Sequence, residues 1–149
     1  MAVNPKPEGY HSITPYLIVK DADKLIDFLV TAFGGKEIHR SMQPEGQIMH
    51  AEVQIGDSRV MMAEASDKYQ AVQANLYLYV DDVDATYKRA LEAGGTSLGE
   101  PRDQFYGDRS GGIQDPSGNH WWIATRKEDL SPDEIKKREE EVRRKQAVS

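Results

Sequence analysis

The chain contains no cysteine. That removes disulfides, thiolate nucleophiles and thiolate-bound metals from consideration, and it is compatible with a reducing, cytoplasmic location. No stretch is long and apolar enough to cross a bilayer, and "MAVNPKPEGYH" lacks the apolar core of a secretion signal. Neither a membrane role nor export is therefore expected. Basic residues are in the minority: 19 Lys and Arg stand against 25 Asp and Glu, for a formal charge of -6. An acidic chain without a basic patch argues against nucleic acid as a partner and leans toward a neutral or cationic small ligand. Tryptophan is scarce, with 2 in 149 residues, and both stand side by side in "QDPSGNHWWIA".

What is present is a repeat. "PYLIVKDADKLIDFLVTAFGG" and "LYLYVDDVDATYKRALEAGG" align without a gap when Val19 is set on Val80, an offset of 80 − 19 = 61. The offset pairs Tyr16 with Tyr77, Leu17 with Leu78, Asp21 with Asp82, and Gly34 with Gly95. Chance likeness between two strand-helix units is the competing reading. In each copy a strand runs into an amphipathic helix, with Leu25, Phe28, Leu29, Ala32 and Phe33, or Val83, Tyr87, Ala90 and Leu91, at three- and four-residue steps. Asp21 and Asp82 are expected N-caps, and Gly34-Gly35 and Gly94-Gly95 expected stops.

Strands are expected after each helix: 36–42, 48–55 and 59–64 in the first copy, 96–101, 107–114 and 120–125 in the second. The fold class is therefore α+β. Two tandem βαβββ modules, 10–66 and 75–126, form a curved mixed β-sheet cleft with helices on the outer face. Residues 1–9 form an N-terminal extension, 67–74 a linker, and 127–149 a charged C-terminal helix. That helix opens on Ser131-Pro132-Asp133-Glu134. Glu134-Arg138, Glu139-Arg143, Glu140-Arg144 and Glu141-Lys145 are placed to pair along it.

Strand alternation picks out candidates for the cleft. In "IMHAEVQI", Met49, Ala51, Val53 and Ile55 form the apolar set, so His50, Glu52 and Gln54 face the other way. His50 and Glu52 present imidazole and carboxylate side by side. Three readings are open: a mutually satisfied polar pair, a ligand contact, or a catalytic acid/base or metal pair. Tyr16, Tyr77 and Tyr79 share the parity of Thr14 and Asn75, either as plain sheet residues or as an aromatic wall. Glu64 and His120 lie near the expected rim, and Tyr106, Asp108 and Arg109 are placed to reach over the opening. For Asp108 and Arg109 a loop-ordering role competes. His11 and His39 sit near strand ends, where surface positions are expected.

The doubled module, with "ITPYLIV", "GDSRVMMAEA" and "YGDRSGGIQDPSGNHWWIATRKEDLSP", resembles the vicinal oxygen chelate superfamily: glyoxalase I, bleomycin resistance proteins, fosfomycin-modifying enzymes and extradiol dioxygenases. The last segment is most similar to its PhnB-like subgroup. The resemblance implies a homodimer and, in the enzymes, a divalent metal such as Zn, Ni, Fe or Mn in the cleft. In the family pattern a histidine stands five residues before the valine ending each first strand, and a carboxylate four past each hairpin glycine. Those positions are Thr14, Asn75, Val60 and Trp122 here, none a good ligand for such metals. The resemblance thus points to no metal and no cofactor, with Trp122 projecting into the cleft and Trp121 packed under a helix. Two functions follow. One is a metal-independent binder of an antibiotic-like or planar cationic small molecule, through Tyr16, Gln54, Glu64, Asn75, Tyr77, Tyr79, Tyr106, Arg109, His120 and Trp122. The alternative is a glyoxalase-like lyase or isomerase using His50 and Glu52, with or without a divalent metal. A third possibility is a partner protein docking through the charged C-terminal helix.

Overall fold

A computed structural model describes residues 2–148; Met1 of the expected N-terminal extension and Ser149 of the expected C-terminal helix lie outside them. The elements run β1 (Tyr16–Val19), α1 (Ala22–Phe33), β2 (Lys36–Met42), β3 (Ile48–Ile55), β4 (Ser58–Glu64), β5 (Asn75–Tyr79), α2 (Val83–Glu92), β6 (Thr96–Asp103), β7 (Asp108–Gln114), β8 (His120–Arg126) and α3 (Pro132–Val148). They build two four-stranded sheets of the same topology, β1-β4-β3-β2 and β5-β8-β7-β6. In each, the first strand runs parallel to the last while the remaining neighbours are antiparallel. The architecture is the α+β, doubled βαβββ arrangement expected from the repeat.

One side of each sheet carries the core. Leu17 and Val19, Ala51 and Val53, Val60 and Met62 face α1; Ile113, Trp121 and Ile123 take the same side of the second sheet. The helices α1 and α2 pack on each other, so both sheets share one apolar interior. Trp121 lies there, 2% exposed, its ring centroid 5.0 Å from that of Phe33 at the end of α1. The Ser117 hydroxyl donates to the Lys20 carbonyl at 3.1 Å and the Arg89 Nε to the Ala32 carbonyl at 3.4 Å, tying the modules together.

Three local expectations are corrected. Met49 does not join the apolar row of β3. The β2–β3 ladder slips between Ser41, paired with His50, and Met42, paired with Ile48, so Ile48 is buried and Met49 is 52% exposed. A β-bulge of this kind reverses the phase of alternation beyond it. Asp21 stands at the N-cap of α1 but in the left-handed region (φ 59), and its side chain caps nothing. Glu64 does that work instead. Its Oε2 accepts from the Asp21 N–H at 2.8 Å and its Oε1 from the Ala22 N–H at 3.1 Å. Glu64 therefore sits on the helix side of β4 and not on the cleft wall. Its repeat counterpart, Thr125 (64 + 61), accepts from the Val83 N–H at 2.9 Å, while Asp82 caps α2 as expected through the Ala85 N–H at 3.1 Å.

In α3 the Ser131 hydroxyl accepts from the Glu134 N–H at 3.1 Å, the expected cap. Glu134–Arg138 and Glu139–Arg143 form at 3.2 and 2.7 Å. Among the described residues Glu140–Arg144 and Glu141–Lys145 do not. Arg138 also reaches Glu128 and the Phe105 carbonyl, which fixes α3 against the loop before β7.

Candidate functional site

The sides of the two sheets turned away from the helices carry almost all of the chemistry expected from the sequence. Register fixes which residues share them. On the second sheet Asn75 pairs with His120, Tyr77 with Trp122, and Tyr79 with Ala124; β8 continues this row into Gln114, Gly112 and Ser110 of β7. On the first sheet Tyr16 pairs with Met61, and His50 stands opposite Ser41. The counterpart of Trp122 is therefore Met61 (122 − 61), not Val60, which is 4% exposed in the core. Counting from the hairpin glycines misleads because the turns differ: Gly56 opens the short first turn, whereas Gly118 lies late in the longer second one.

Trp122 is 37% exposed. Its indole lies across the backbone of Gly112, where a Cβ would come within 2.5 Å of Cζ3 and 2.8 Å of Cε3. A side chain at position 112 and this ring pose exclude each other. The indole Nε1 donates to the Asn75 Oδ1 at 3.4 Å, and the His120 ring meets it edge-on, centroids 6.2 Å apart and planes at 88°. His120 is itself held by Gln114 (3.2 Å) and Gln73 (3.3 Å). The result is a flat, partly wet aromatic surface edged by an amide and an imidazole, suited to stacking.

Next along the same side, the Tyr77 and Tyr79 rings stand 5.2 Å apart. Both hydroxyls donate to the Asp108 Oδ2, at 2.7 and 2.9 Å, and Asp108 is only 6% exposed. Burial, then hydrogen bonds to Tyr106 and Asp108, push the Tyr77 phenol well above its ordinary value. Tyr79 is raised chiefly by its bond to Asp108. Both phenols therefore stay protonated and donating at neutral pH. Tyr106, 37% exposed, lies close enough to Tyr77 to help raise its phenol. Asp108 is the residue the sequence undervalued. Its parity with Ser110, Gly112 and Gln114 was the available signal.

Arg109 points the other way. Its guanidinium grips Asp84 at 2.8 and 3.0 Å and Asp103 at 3.3 Å, holding the Asp84 carboxyl below its ordinary value. It ties β7 to the start of α2 and β6, and does not cover the open side.

The first sheet brings Tyr16, His50 and Glu52 into one chain. The Tyr16 hydroxyl lies 3.1 Å from His50 Nδ1, and His50 Nε2 lies 3.5 Å from Glu52 Oε2. The link to Tyr16 was not legible, because nothing in the sequence says how β1 registers on β3 through β4. His39, expected at the surface, is exposed there, its ring 6.2 Å from that of His50 and its Nε2 2.8 Å from Ser41 Oγ. Gln54 is engaged with Arg59 at 2.7 Å and with the Gly56 carbonyl at 2.9 Å. Arg59 also lies over the Tyr10 ring at 4.8 Å, which lays the N-terminal segment along this sheet.

The four corners expected to chelate a metal thus hold Thr14, Met61, Asn75 and Trp122: a hydroxyl, a thioether, an amide and an indole. The Thr14 hydroxyl is turned to the His11 carbonyl at 3.3 Å. This donor set does not fit a divalent metal, which takes imidazole and carboxylate. Among the described residues no three His, Asp or Glu side chains converge elsewhere.

Two like sheets with helices packed on one side and polar-aromatic residues on the other define the glyoxalase-type fold. Over residues 9–123 the chain matches the Glyoxalase/Bleomycin resistance protein/Dioxygenase superfamily, and it belongs to that superfamily. It is 34% identical over 146 residues to the uncharacterized protein Rv0887c of Mycobacterium tuberculosis, spanning 91% of this chain and 84% of that one. Among solved structures it resembles TioX from Micromonospora sp. ML1 (TM-score 0.68, 24% identity, 78% of this chain and 98% of that one). It also resembles TnmS3, an antibiotic binding protein from Streptomyces sp. CB03234 (TM-score 0.64, 23% identity, 85% and 98%).

Proposed function

We propose that this protein is a metal-independent binder of a flat, antibiotic-like small molecule, which stacks on Trp122. The observation that carries the reading is the indole laid over Gly112 and left 37% exposed at a corner where a metal-binding relative needs a carboxylate. A half-exposed tryptophan held flat by glycine, amide and imidazole is a preformed stacking surface, and preformed surfaces lose little on binding. That TnmS3 is an antibiotic binding protein is in keeping with this use of the fold.

The reading includes a homodimer. Among the described residues, the side-chain hydrogen bonds of Tyr16 with His50, Trp122 with Asn75, and Tyr77 and Tyr79 with Asp108 each stay within one sheet. Each chain offers two separate half-walls, and a second copy turned through a two-fold would close them into cavities. It also places the chain in the PhnB-like subgroup and in the cytoplasm. No helix among the described residues is long and apolar enough to cross a membrane.

The test uses planar neutral compounds, phenazine among them, in thermal-shift titrations. Binding raises the midpoint in a concentration-dependent way. Trp122→Ala should abolish the shift while leaving the unliganded midpoint near that of wild type. An unchanged shift excludes Trp122 as the contact.

A second reading is favoured by one specific observation, the Tyr16–His50–Glu52 chain. It supports a glyoxalase-like lyase or isomerase in which His50 moves a proton, steadied by Glu52. Small α-hydroxy ketones incubated with the protein in deuterated water report on it. Deuterium at the α-carbon that is lost in His50→Gln supports catalysis, and its absence leaves binding alone.

A further inference from the structure

We propose that Asp108, with the rings of Tyr77, Tyr79 and Tyr106, forms an ammonium subsite, so that the natural ligand is an organic cation whose flat part lies on Trp122. The proposal deepens the stacking reading and rests on it.

The geometry is that of a carboxylate set at the back of an aromatic group. Asp108 is 6% exposed, whereas Tyr77 and Tyr79 keep 45% and 62% of their surface open. Both hydroxyls converge on one oxygen, Oδ2. Among the described residues nothing donates to Oδ1. That atom is not sealed in either, because Asn119 Nδ2 is the one buried side-chain polar atom there without a partner. One acceptor thus stays free beside two half-open aromatic rings, which is what a desolvated ammonium group requires: a charge-assisted hydrogen bond and π faces.

A cation already present would make the subsite redundant, and four are near enough to ask about: Arg126, Arg109, Lys127 and Arg138. Arg126 stands opposite Asp108 in the β7–β8 ladder, but its guanidinium is taken by Asp129. Arg109 is turned to the far side of β7 by Asp84 and Asp103. Arg138, which lines a cavity with Asp108 and Lys127, is held by Glu128 and Glu134, and among the described residues none of the four cations hydrogen-bonds Asp108. Among the described residues no protein cation pairs with this carboxylate, and the chain's net charge of -6 adds a general attraction for positive ligands.

The placement also matches the stacking surface in reach. Tyr77 is the direct ladder partner of Trp122, and paired residues on one sheet side have Cβ atoms about 5 Å apart. One small molecule can therefore cover the indole and set an amine among the tyrosines.

The test compares benzylammonium with its uncharged isostere ethylbenzene, in the full-length protein, by ligand-observed NMR. Both offer the same ring to Trp122 and differ in charge. Wild type should prefer the cation by about tenfold. Asp108→Asn, which keeps the shape, should bring the preference close to unity. Tyr79→Leu should weaken cation binding severalfold without changing that of ethylbenzene, and it decides the matter if the Asp108 variant does not fold. Equal affinities in wild type, or a preference that survives both substitutions, overturns the ammonium subsite. If equal affinities are found and both probes are lost in Trp122→Ala, the stacking reading stands while the subsite falls. If neither probe binds wild type, both fall.

Discussion

At Gly112 the missing side chain is what gives Trp122 its place. A methyl there would have to occupy space now held by Cζ3 and Cε3 of the indole, at 2.5 and 2.8 Å. Gly112→Ala is accordingly expected to lift the ring from the sheet and to erase the phenazine-induced rise in melting temperature, with far-ultraviolet circular dichroism unchanged. A retained shift would mean that the ring's pose does not govern binding. Alternation put Trp121 and Trp122 on opposite sides of the sheet, and the family resemblance said which side each takes. Gly112 was not readable, because a glycine in a Gly-rich strand gives no hint of which ring crosses it until the β7–β8 register is known.

The tyrosines give a second residue-scale expectation. Tyr77 and Tyr79 are raised above the ordinary 10.0, Tyr77 by burial first and Tyr79 by the Asp108 hydrogen bond first. A raised pKa stabilises the fold fully below pH 10.0, and that contribution is lost as pH climbs toward the folded values. Phenolate absorbance should show part of the tyrosine still unionised above pH 10.0, with stability falling as that part ionises. In Asp108→Asn the delayed fraction should shrink. A single phase near the ordinary value in wild type would contradict the hydrogen bonds to Asp108.

Among the elements, α1 shows how far periodicity carries and where it stops. The spacing of Leu25, Leu29 and Ala32 marks the helix and its buried face. The cap is different. Asp21 has the right residue type in the right place, yet the backbone there is left-handed and its carboxylate idle, while Glu64 arrives from the last strand of the module. A cap from 43 residues away along the chain leaves no local trace in sequence. Glu64→Ala should cost about 1 kcal/mol in urea unfolding, since it orphans two helix N–H groups, and Asp21→Ala much less. Equal costs would return the cap to Asp21. The bulge that exposes Met49 was unreadable for a related reason: alternation in β3 is regular on paper, and the slip appears only when β2 is laid against it. What was legible in α3, its Ser131 cap and two of its ion pairs, is local to the helix itself.

For the molecule as a whole, the 61-residue offset proved the strongest signal, since it marks the two like βαβββ modules, whereas strand order and the pairing of Tyr16 with Met61 and Tyr77 with Trp122 emerge only from the structure. The site was legible by face and less so by contact. Residues such as Tyr16, His50, Asn75, Tyr77, Tyr79, His120 and Trp122 were placed on the correct side, whereas Glu64 and Arg109 were assigned to a wall they do not reach. Both carry charges whose partners, helix N–H groups in one case and Asp84 in the other, lie on a different element. With the open sides separate in one chain, sedimentation should give a dimer at the concentrations where planar compounds bind. A monomer that still binds them would remove the need for a second copy.

The most direct measurement follows the indole N–H resonances of the 2 tryptophans by nitrogen-15 NMR during addition of phenazine, with Trp122→Phe supplying the assignment. Trp122 is expected to shift progressively to saturation, while Trp121, 2% exposed and bonded to Asp115 at 2.8 Å, stays in place. Binding that leaves the Trp122 signal unmoved would contradict the stacking surface as the seat of function.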